Sequence, residues 1–289
     1  MKVITAKSAG FCFGVERAVS TVYEALESGE KIYTYGPIIH NESVIQELTD
    51  RGVGIISSPE ELEDLGEATV IIRSHGVSKE IYDIMDRKGI RYIDATCPFV
   101  LKIHKLVREA SERGEHIVVA GDRTHPEVEG IVSFAENGVT VLKDEQEAMD
   151  FVPPEGKKLF LVSQTTFNSN TFKKIVEIFN KTLYAYNTVY TICNATALRQ
   201  QETEELAKKV DAMIVIGGAH SSNTRKLYDI ASASCDNTIF VQTLDDLVSS
   251  NQSDCNPASC VGITAGASTP NNIIEEVQNY VRRFWTDVG

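Results

Sequence analysis

At 289 residues the chain is longer than one small core requires and suits two or three α/β units. Its 42% hydrophobic and 24% charged content is that of a folded globular protein and excludes disorder. With 28 basic against 41 acidic residues the net charge is −13, which argues against nucleic acid or an anionic membrane as partner.

A small anion remains compatible, because backbone N–H groups and a few His or Ser side chains can hold one locally. Residues 1–7 carry too short an apolar stretch for a signal peptide, and no run approaches a membrane span. A cytoplasmic location is expected, and with it reduced, metal-binding or catalytic cysteines rather than disulfides.

In chain order, Cys12 is followed by helical spacing over 15–26 that stops near Gly29, then a buried strand over 31–35 entering the loop 36–41. A helix near 43–51, a short strand at 54–56 and an acidic stretch at 59–65 follow. The strand 68–73 ends in Ser74-His75-Gly76. A helix at 78–88 and a strand at 91–94 lead to Thr96-Cys97-Pro98.

The order then starts again. A helix at 99–113 precedes the strand 116–120 and the loop 121–127, which holds His125-Pro126-Glu127. A helix to Gly138, a strand at 139–142 and a second acidic stretch at 144–150 come next. The strand 158–163 ends in Gln164-Thr165-Thr166, and a helix at 170–181 and a strand at 184–192 reach Cys193.

The third round has a helix at 196–209, a strand at 212–216 and the loop 217–223. It continues with a helix at 224–233, a strand at 238–242, the acidic turn Asp245-Asp246, a strand at 261–264 and the loop 265–268. A helix at 270–285 closes the chain. This round lacks a final strand leading into a cysteine, and Val3-Ile4-Thr5-Ala6, running into Cys12, can supply it. The units are then 13–96, 97–192 and 193–289, the last completed by 1–12, and they close a ring of three small α/β layers with mostly parallel strands.

Spacing supports one unit used three times. Cys12 to His40, Cys97 to His125 and Cys193 to Ser221 are each 28 positions apart. In parallel sheets ligands collect beyond the strands' carboxyl ends, where all three cysteines and the polar loops fall. Each cysteine stands at or just before a helix start, which favours a thiolate. A lone cysteine reads first as a small buried hydrophobe, but three in register point to a shared site.

Three thiolates accept Zn²⁺ or a cubane iron–sulfur cluster with one metal position open. No histidine stands at the short spacing of a compact zinc site, which favours the cluster. Cys235, Cys255 and Cys260 fall outside the register. Structural thiols are the preferred reading, with a disulfide or zinc half-site from Cys255 and Cys260 as the alternative.

Four of the six histidines, His40, His75, His125 and His220, sit in strand-end loops, while His104 and His116 read as helix or strand filler. His220 misses the 28-residue interval and is given no role. Ser221, Ser222, Asn223, Thr165, Thr166 and Ser268 occupy the loop places matching His40, His75 and His125. Such neutral donors with Gly-rich backbone can wrap a phosphate without a Lys/Arg cluster. Glu127 suits a proton donor beside a metal-bound oxygen, although an acid is also favoured at a helix N-terminus on stability grounds alone.

The stretches that carry a family likeness are 9–15 (AGFCFGV), 36–41 (GPIIHN), 73–76 (RSHG), 94–98 (DATCP), 125–130 (HPEVEG) and 163–166 (SQTT). To these add 191–196 (TICNAT) with Arg199-Gln200, 221–224 (SSNT) and 264–268 (TAGAS). Together they resemble the 4-hydroxy-3-methylbut-2-enyl diphosphate reductases, the IspH or LytB family, over nearly the whole chain. The resemblance implies a monomeric α/β trefoil of three pseudo-symmetric units around one [4Fe-4S] cluster held by Cys12, Cys97 and Cys193.

It further implies that His40, His75, His125, Ser221, Ser222, Asn223 and Ser268 bind the substrate diphosphate. Thr165 orients the substrate hydroxyl and Glu127 supplies protons. The implied reaction converts (E)-4-hydroxy-3-methylbut-2-enyl diphosphate to isopentenyl and dimethylallyl diphosphates, the last step of the methylerythritol phosphate route. Because no Gly-x-Gly-x-x-Gly fingerprint follows a strand, electrons are expected from a ferredoxin- or flavodoxin-type partner. The Gly-Ala-His before Ser221 and Asn194 after Cys193 depart from the family pattern. The alternatives are a zinc hydrolase or lyase on the same three cysteines and a non-catalytic iron–sulfur sensor.

Overall fold

Short aliphatic runs bounded by glycines and polar turns form the strands, and segments with a 3.6-residue apolar period form the helices between them. In a computed structural model, residues 2–249 and 259–284 are described. The first elements are β1 (Lys2–Thr5), α1 (Phe13–Leu26), β2 (Ile32–Tyr35), α2 (Glu42–Asp50), β3 (Gly54–Ile56), α3 (Pro59–Glu63), β4 (Thr69–Ile72), α4 (Lys79–Lys88) and β5 (Arg91–Asp94). Next come α5 (Pro98–Glu112), β6 (His116–Ala120), α6 (Pro126–Ser133), β7 (Val139–Leu142), α7 (Glu145–Asp150), β8 (Leu159–Ser163), α8 (Ser169–Lys181) and β9 (Tyr186–Thr188). The remainder is α9 (Asn194–Ala207), β10 (Ala212–Ile216), α10 (Ser222–Ser232), β11 (Thr238–Val241), α11 (Leu244–Ser249), β12 (Cys260–Ala265) and α12 (Asn271–Phe284).

The strands make three four-stranded sheets, ordered β3-β2-β4-β5, β7-β6-β8-β9 and β11-β10-β12-β1, and every pairing in them is parallel. The N-terminal strand supplies the missing edge: Lys2 to Thr5 pair in register with Cys260 to Ile263. One order recurs in each sheet. From the first central strand the chain goes outward to one edge, then returns to the other side of that strand. The two central strands therefore bracket a topological switch point, where the loops beyond their carboxyl ends diverge and open a crevice. Those loops hold His40 and His75 in one sheet, His125 and Thr165 in the next, and Ser221 and Ser268 in the third.

The chain divides into two compact bodies. One holds residues 2–13, 40–42 and the described residues from 194 onward; the other holds 14–39 and 43–193. In the first, β10 is buried on both faces, as parallel strands between helices must be. Ile214 and Ile216 pack with Leu247 of α11 and Val277 and Val281 of α12. Met213 and Val215 pack on the opposite face with Leu206 of α9 and Leu227 of α10. In the second, Val70 and Ile72 pack on Ile81, Ile84 and Met85 of α4. Beside that cluster, Ile117, Val119 and Val162 meet Ile103 and Val107 of α5 and Val128 and Ile131 of α6.

Two details differ from the sequence reading. The acidic stretches at 59–65 and 144–150 contain short helices, because Ser58 and Asp144 accept N-cap hydrogen bonds from Glu61 and Glu147 N–H and acids suit a first turn. The strand expected over 184–192 shrinks to β9, which pairs only through Tyr186 to Thr188 with β8. No described helix is long and apolar enough to cross a membrane.

Candidate active site

Each cysteine of the 28-residue register stands between an edge strand and a helix: Cys12 between β1 and α1, Cys97 between β5 and α5, Cys193 between β9 and α9. One backbone hydrogen bond recurs at all three. Cys97 N–H donates to Ser74 O at 2.9 Å, Cys193 N–H to Thr165 O at 3.1 Å and Cys12 N–H to Ala267 O at 3.3 Å. Every cysteine is thus tied to the polar loop of the neighbouring central strand. All three are partly exposed, and none of the described cysteines is in a disulfide. Gly14 is required for this packing, since a Cβ there would stand 2.6 Å from Cys97 Sγ.

In the second body Glu127 is 1% exposed in the first turn of α6. Thr165 N–H donates to its Oε1 at 2.6 Å and the Thr165 hydroxyl meets Oε2 at 2.7 Å. Burial pushes the Glu127 carboxyl up to about 7, while the Thr165 hydrogen bonds hold it back from rising further. A carboxyl poised there can hold a proton at neutral pH and pass it to the hydroxyl it touches. His125 caps the same helix, its Nδ1 accepting from Glu127 N–H at 3.1 Å, which leaves the ring proton on Nε2. The His75 and His125 rings meet edge-on with centroids 5.4 Å apart.

In the first body the Ser268 hydroxyl donates to His40 O at 3.0 Å. Ser221 caps α10, accepting from Thr224 N–H at 3.3 Å, with Ser222 and Asn223 in the first turn. Asn223 is 5% exposed, yet neither its amide nitrogen nor its oxygen has a hydrogen-bond partner. An orphaned amide in a buried helix start is costly unless something polar completes it. Helix-start N–H groups beside such an amide suit an anion. His220 is exposed.

The model of the family described as "LytB protein" matches residues 3–282. The chain belongs to this family. A 4-hydroxy-3-methylbut-2-enyl diphosphate reductase of Thermoanaerobacter sp. (strain X514) is 44% identical over 288 residues, covering 98% of this chain and 97% of that relative. The solved E-1-hydroxy-2-methyl-but-2-enyl-4-diphosphate reductase of Plasmodium falciparum superposes with a TM-score of 0.90 at 29% identity, covering 98% of this chain and 88% of that one. A second solved structure, (E)-4-hydroxy-3-methyl-but-2-enyl diphosphate reductase, "the terminal enzyme of the non-mevalonate pathway", has a TM-score of 0.67 at 39% identity, covering 98% and 100%.

Membership of the LytB family implies an iron–sulfur cluster in general, and the donor chemistry here fits one. The cysteines are partly exposed thiols at helix starts, and the contact at Gly14 keeps the space beside Cys97 Sγ open. Outside the register, Cys235 is buried in the core beside Val210 O and Asn237 O. Cys260 begins β12, and Cys255 lies outside the described residues.

Sequence reasoning gave no role to three supporting residues, although Arg199 stands in one of the family-like stretches. Arg17 of α1 donates to Thr96 O at 2.9 Å and Asp94 O at 3.0 Å, clamping the Cys97 loop. Arg199 of α9 donates to Ser8 O and Gly10 O, both at 2.8 Å, clamping the Cys12 loop in the same way. His104, expected as helix filler, is 2% exposed with neither ring nitrogen hydrogen-bonded. It stacks on Phe134 and occupies space that a Cβ at Gly76 or Gly130 would contest, at 3.0 and 3.2 Å. A helical arginine reads as a solvated charge, so the sequence signal for the clamps is weak; both stand five or six positions after a register cysteine, and Arg199 falls in a family-like stretch.

Replacing Arg17 or Arg199 with Met should cost about 2–3 kcal/mol through two lost charge-assisted hydrogen bonds. Thermal melting measures that loss, and iron content after reconstitution should fall with it. Gly14→Ala should lower iron content far more than it lowers the melting temperature, because the new methyl displaces one sulfur rather than a core side chain.

Proposed function

We propose that the chain reductively dehydroxylates (E)-4-hydroxy-3-methylbut-2-enyl diphosphate to isopentenyl and dimethylallyl diphosphates, as the last step of the methylerythritol phosphate route. The observation that carries this reading is the buried Glu127–Thr165 pair, whose threonine also receives the N–H of Cys193. On this reading the proton source, the hydroxyl-orienting group and a metal-ligating thiol come from three successive strand-end loops joined through Thr165. Cys12, Cys97 and Cys193 would hold one [4Fe-4S] cluster per chain, which when bound supplies electrons one at a time and a Lewis-acidic iron.

The chain's own residues do the rest. His40, His75 and His125 with Ser221, Ser222, Asn223 and Ser268 hold the diphosphate by neutral donors and helix-start N–H groups. The orphaned Asn223 amide gains its partners from that ligand. The Thr165 hydroxyl aligns the substrate's terminal hydroxyl, and Glu127 delivers a proton through it as the C–O bond breaks. Two electrons and two protons are consumed, one C–H bond forms and water leaves. Protonation at either end of the allylic unit accounts for two products. The reading includes a monomer in the cytoplasm reduced by a ferredoxin- or flavodoxin-type protein. The zinc hydrolase or lyase and the sensor are not favoured, since relatives over the full length are reductases.

Protein purified without oxygen should be brown and carry about four irons per chain. It should consume the allylic diphosphate with a reduced low-potential dye, and substrate should alter its electron paramagnetic resonance spectrum. Colourless, inactive protein after reconstitution, or stoichiometric zinc with activity in air, would reject the reading.

Glu127→Gln should lower turnover by about a hundredfold or more, the usual contribution of a positioned acid. Wild-type turnover should fall as pH rises through about 7, where Glu127 loses its proton, and the variant should lack that limb. The linkage has a definite sign. A carboxyl raised from 4.5 to about 7 stabilises the fold fully below 4.5 and loses that contribution as pH rises through 7. Melting temperatures across this window should therefore fall in the wild type relative to Glu127→Gln.

A further inference from the structure

Of the three helices that begin at a register cysteine, α5 is built differently from the others. Residues 98–108 contain Lys102, Lys105 and Arg108 and no acid, whereas the matching stretches of α1 and α9 include Glu16 and Glu202. Helix dipoles reward cations at the C-terminal end. Yet α5 has no basic residue in its last turn and carries its cations along its middle. All three cations are exposed, in a chain of net charge −13. Lys105 meets Glu109 only at 3.8 Å, beyond hydrogen-bond length, so it remains available to a partner.

Two large apolar side chains share this stretch. Phe99 is 45% exposed and Leu101 37%, although Val100, Ile103 and Val107 of the same helix are buried. Phe99 and Leu101 flank Lys102 and Lys105 on the exposed side of the helix, and exposed large apolar groups cost solubility and add nothing to the core. Apolar contact area combined with exposed charge of one sign is a feature of protein interfaces steered by electrostatics. It starts at Cys97, which is itself partly exposed. It ends at Glu109, where acids resume.

We propose that the exposed side of the first three turns of α5, Phe99 and Leu101 with Lys102, Lys105 and Arg108, is the docking surface for a small acidic electron-carrier protein. This rests on the reductase reading above, because only an enzyme that consumes electrons needs such a carrier. Each turnover oxidises two carrier molecules by one electron each, and that electron pair with two protons turns the C–O bond into C–H and water. Electron transfer weakens steeply with distance, and a carrier seated here lies against the helix whose first residue follows Cys97. The cations steer an acidic carrier to this place, and Phe99 and Leu101 exclude water once it has arrived.

The test uses cluster-loaded protein and an acidic ferredoxin as the probe. Binding of oxidised ferredoxin is measured by calorimetry at low and high salt, and turnover is measured with reduced ferredoxin and separately with a reduced viologen dye. Lys102→Glu/Lys105→Glu should raise both the ferredoxin Kd and its KM about tenfold or more and flatten their salt dependence. Dye-driven turnover should stay within about twofold of wild type, because a small dye needs no docking face. Phe99→Ser should weaken ferredoxin binding while leaving the salt dependence unchanged. Should charge reversal impair folding, Lys102→Gln/Lys105→Gln should shift Kd in the same direction by a smaller factor. Unchanged ferredoxin Kd and KM in these variants would overturn the proposal. Wild type that fails to turn over substrate even with the dye would instead overturn the reductase reading, whatever its ferredoxin binding.

Discussion

One backbone hydrogen bond governs how this chain can do chemistry: the donation from each register cysteine to the loop beyond the adjacent central strand. Cys97 to Ser74 continues the β4–β5 ladder past the end of the sheet, Cys193 to Thr165 lies further along the β8–β9 register, and Cys12 to Ala267 rejoins β12's loop after a turn that shifts the β1 register. A parallel ladder fixes the separation and direction of neighbouring strands. The thiol is consequently held against the same loop that presents His75, Thr165 or Ser268. On the proposed reading, metal ligation and substrate contact share this framework, because each cysteine and its partner loop lie on adjoining strand ends. Loosening any edge strand moves a sulfur and a polar side chain at once.

The arginine clamps make sense in that light. Edge strands are the least restrained members of a sheet, with one neighbour instead of two. The loops after β5 and β1 carry carbonyls that the ladder leaves unused, and Arg17 and Arg199 take two each. In the first body Glu202, one helical turn from Arg199, also receives the N–H groups of Lys7 and Ser8. The segment leading to Cys12 is therefore gripped on both its donors and its acceptors. Beside β9, the Thr191 hydroxyl donates to Ser163 O and accepts from Ser163 N–H.

Most of this architecture was legible because parallel sheets write themselves into sequence plainly. The runs at 116–120 and 212–216 are apolar on both faces, and the polar loops at 121–127 and 217–223 mark where each strand stops. The N-terminal strand could be assigned to the last sheet because that sheet alone lacked an edge. Where the reading fell short, competing physics explains it. The segment 184–192 is rich in Tyr, Thr and Val and looks like a long strand, but an edge strand persists only as far as its single neighbour offers partners. His104 carries no local signal, since its burial depends on glycines at 76 and 130, far away in sequence. Glu127 was read as a proton donor, but the burial that pushes its carboxyl up was invisible, because an acid after His-Pro suits an exposed helix start equally well.

The absence of Lys and Arg among the proposed diphosphate-binding residues has a consequence for the proton. Nearby cations would stabilise the Glu127 carboxylate and pull its pKa back toward the ordinary range. Neutral donors bind phosphate oxygens without doing so. Negative charge brought against His75 and His125 acts in the opposite sense, since an anion near a buried carboxyl favours its protonated form. His125 lies two residues from Glu127 and caps the same helix, so that charge is felt at short range through a medium of low polarity. On the proposed reading, with His75 and His125 staying neutral, substrate arrival would favour the protonated form of Glu127 that the reaction consumes. A site built on lysines would hold the diphosphate as firmly and leave the acid ionised.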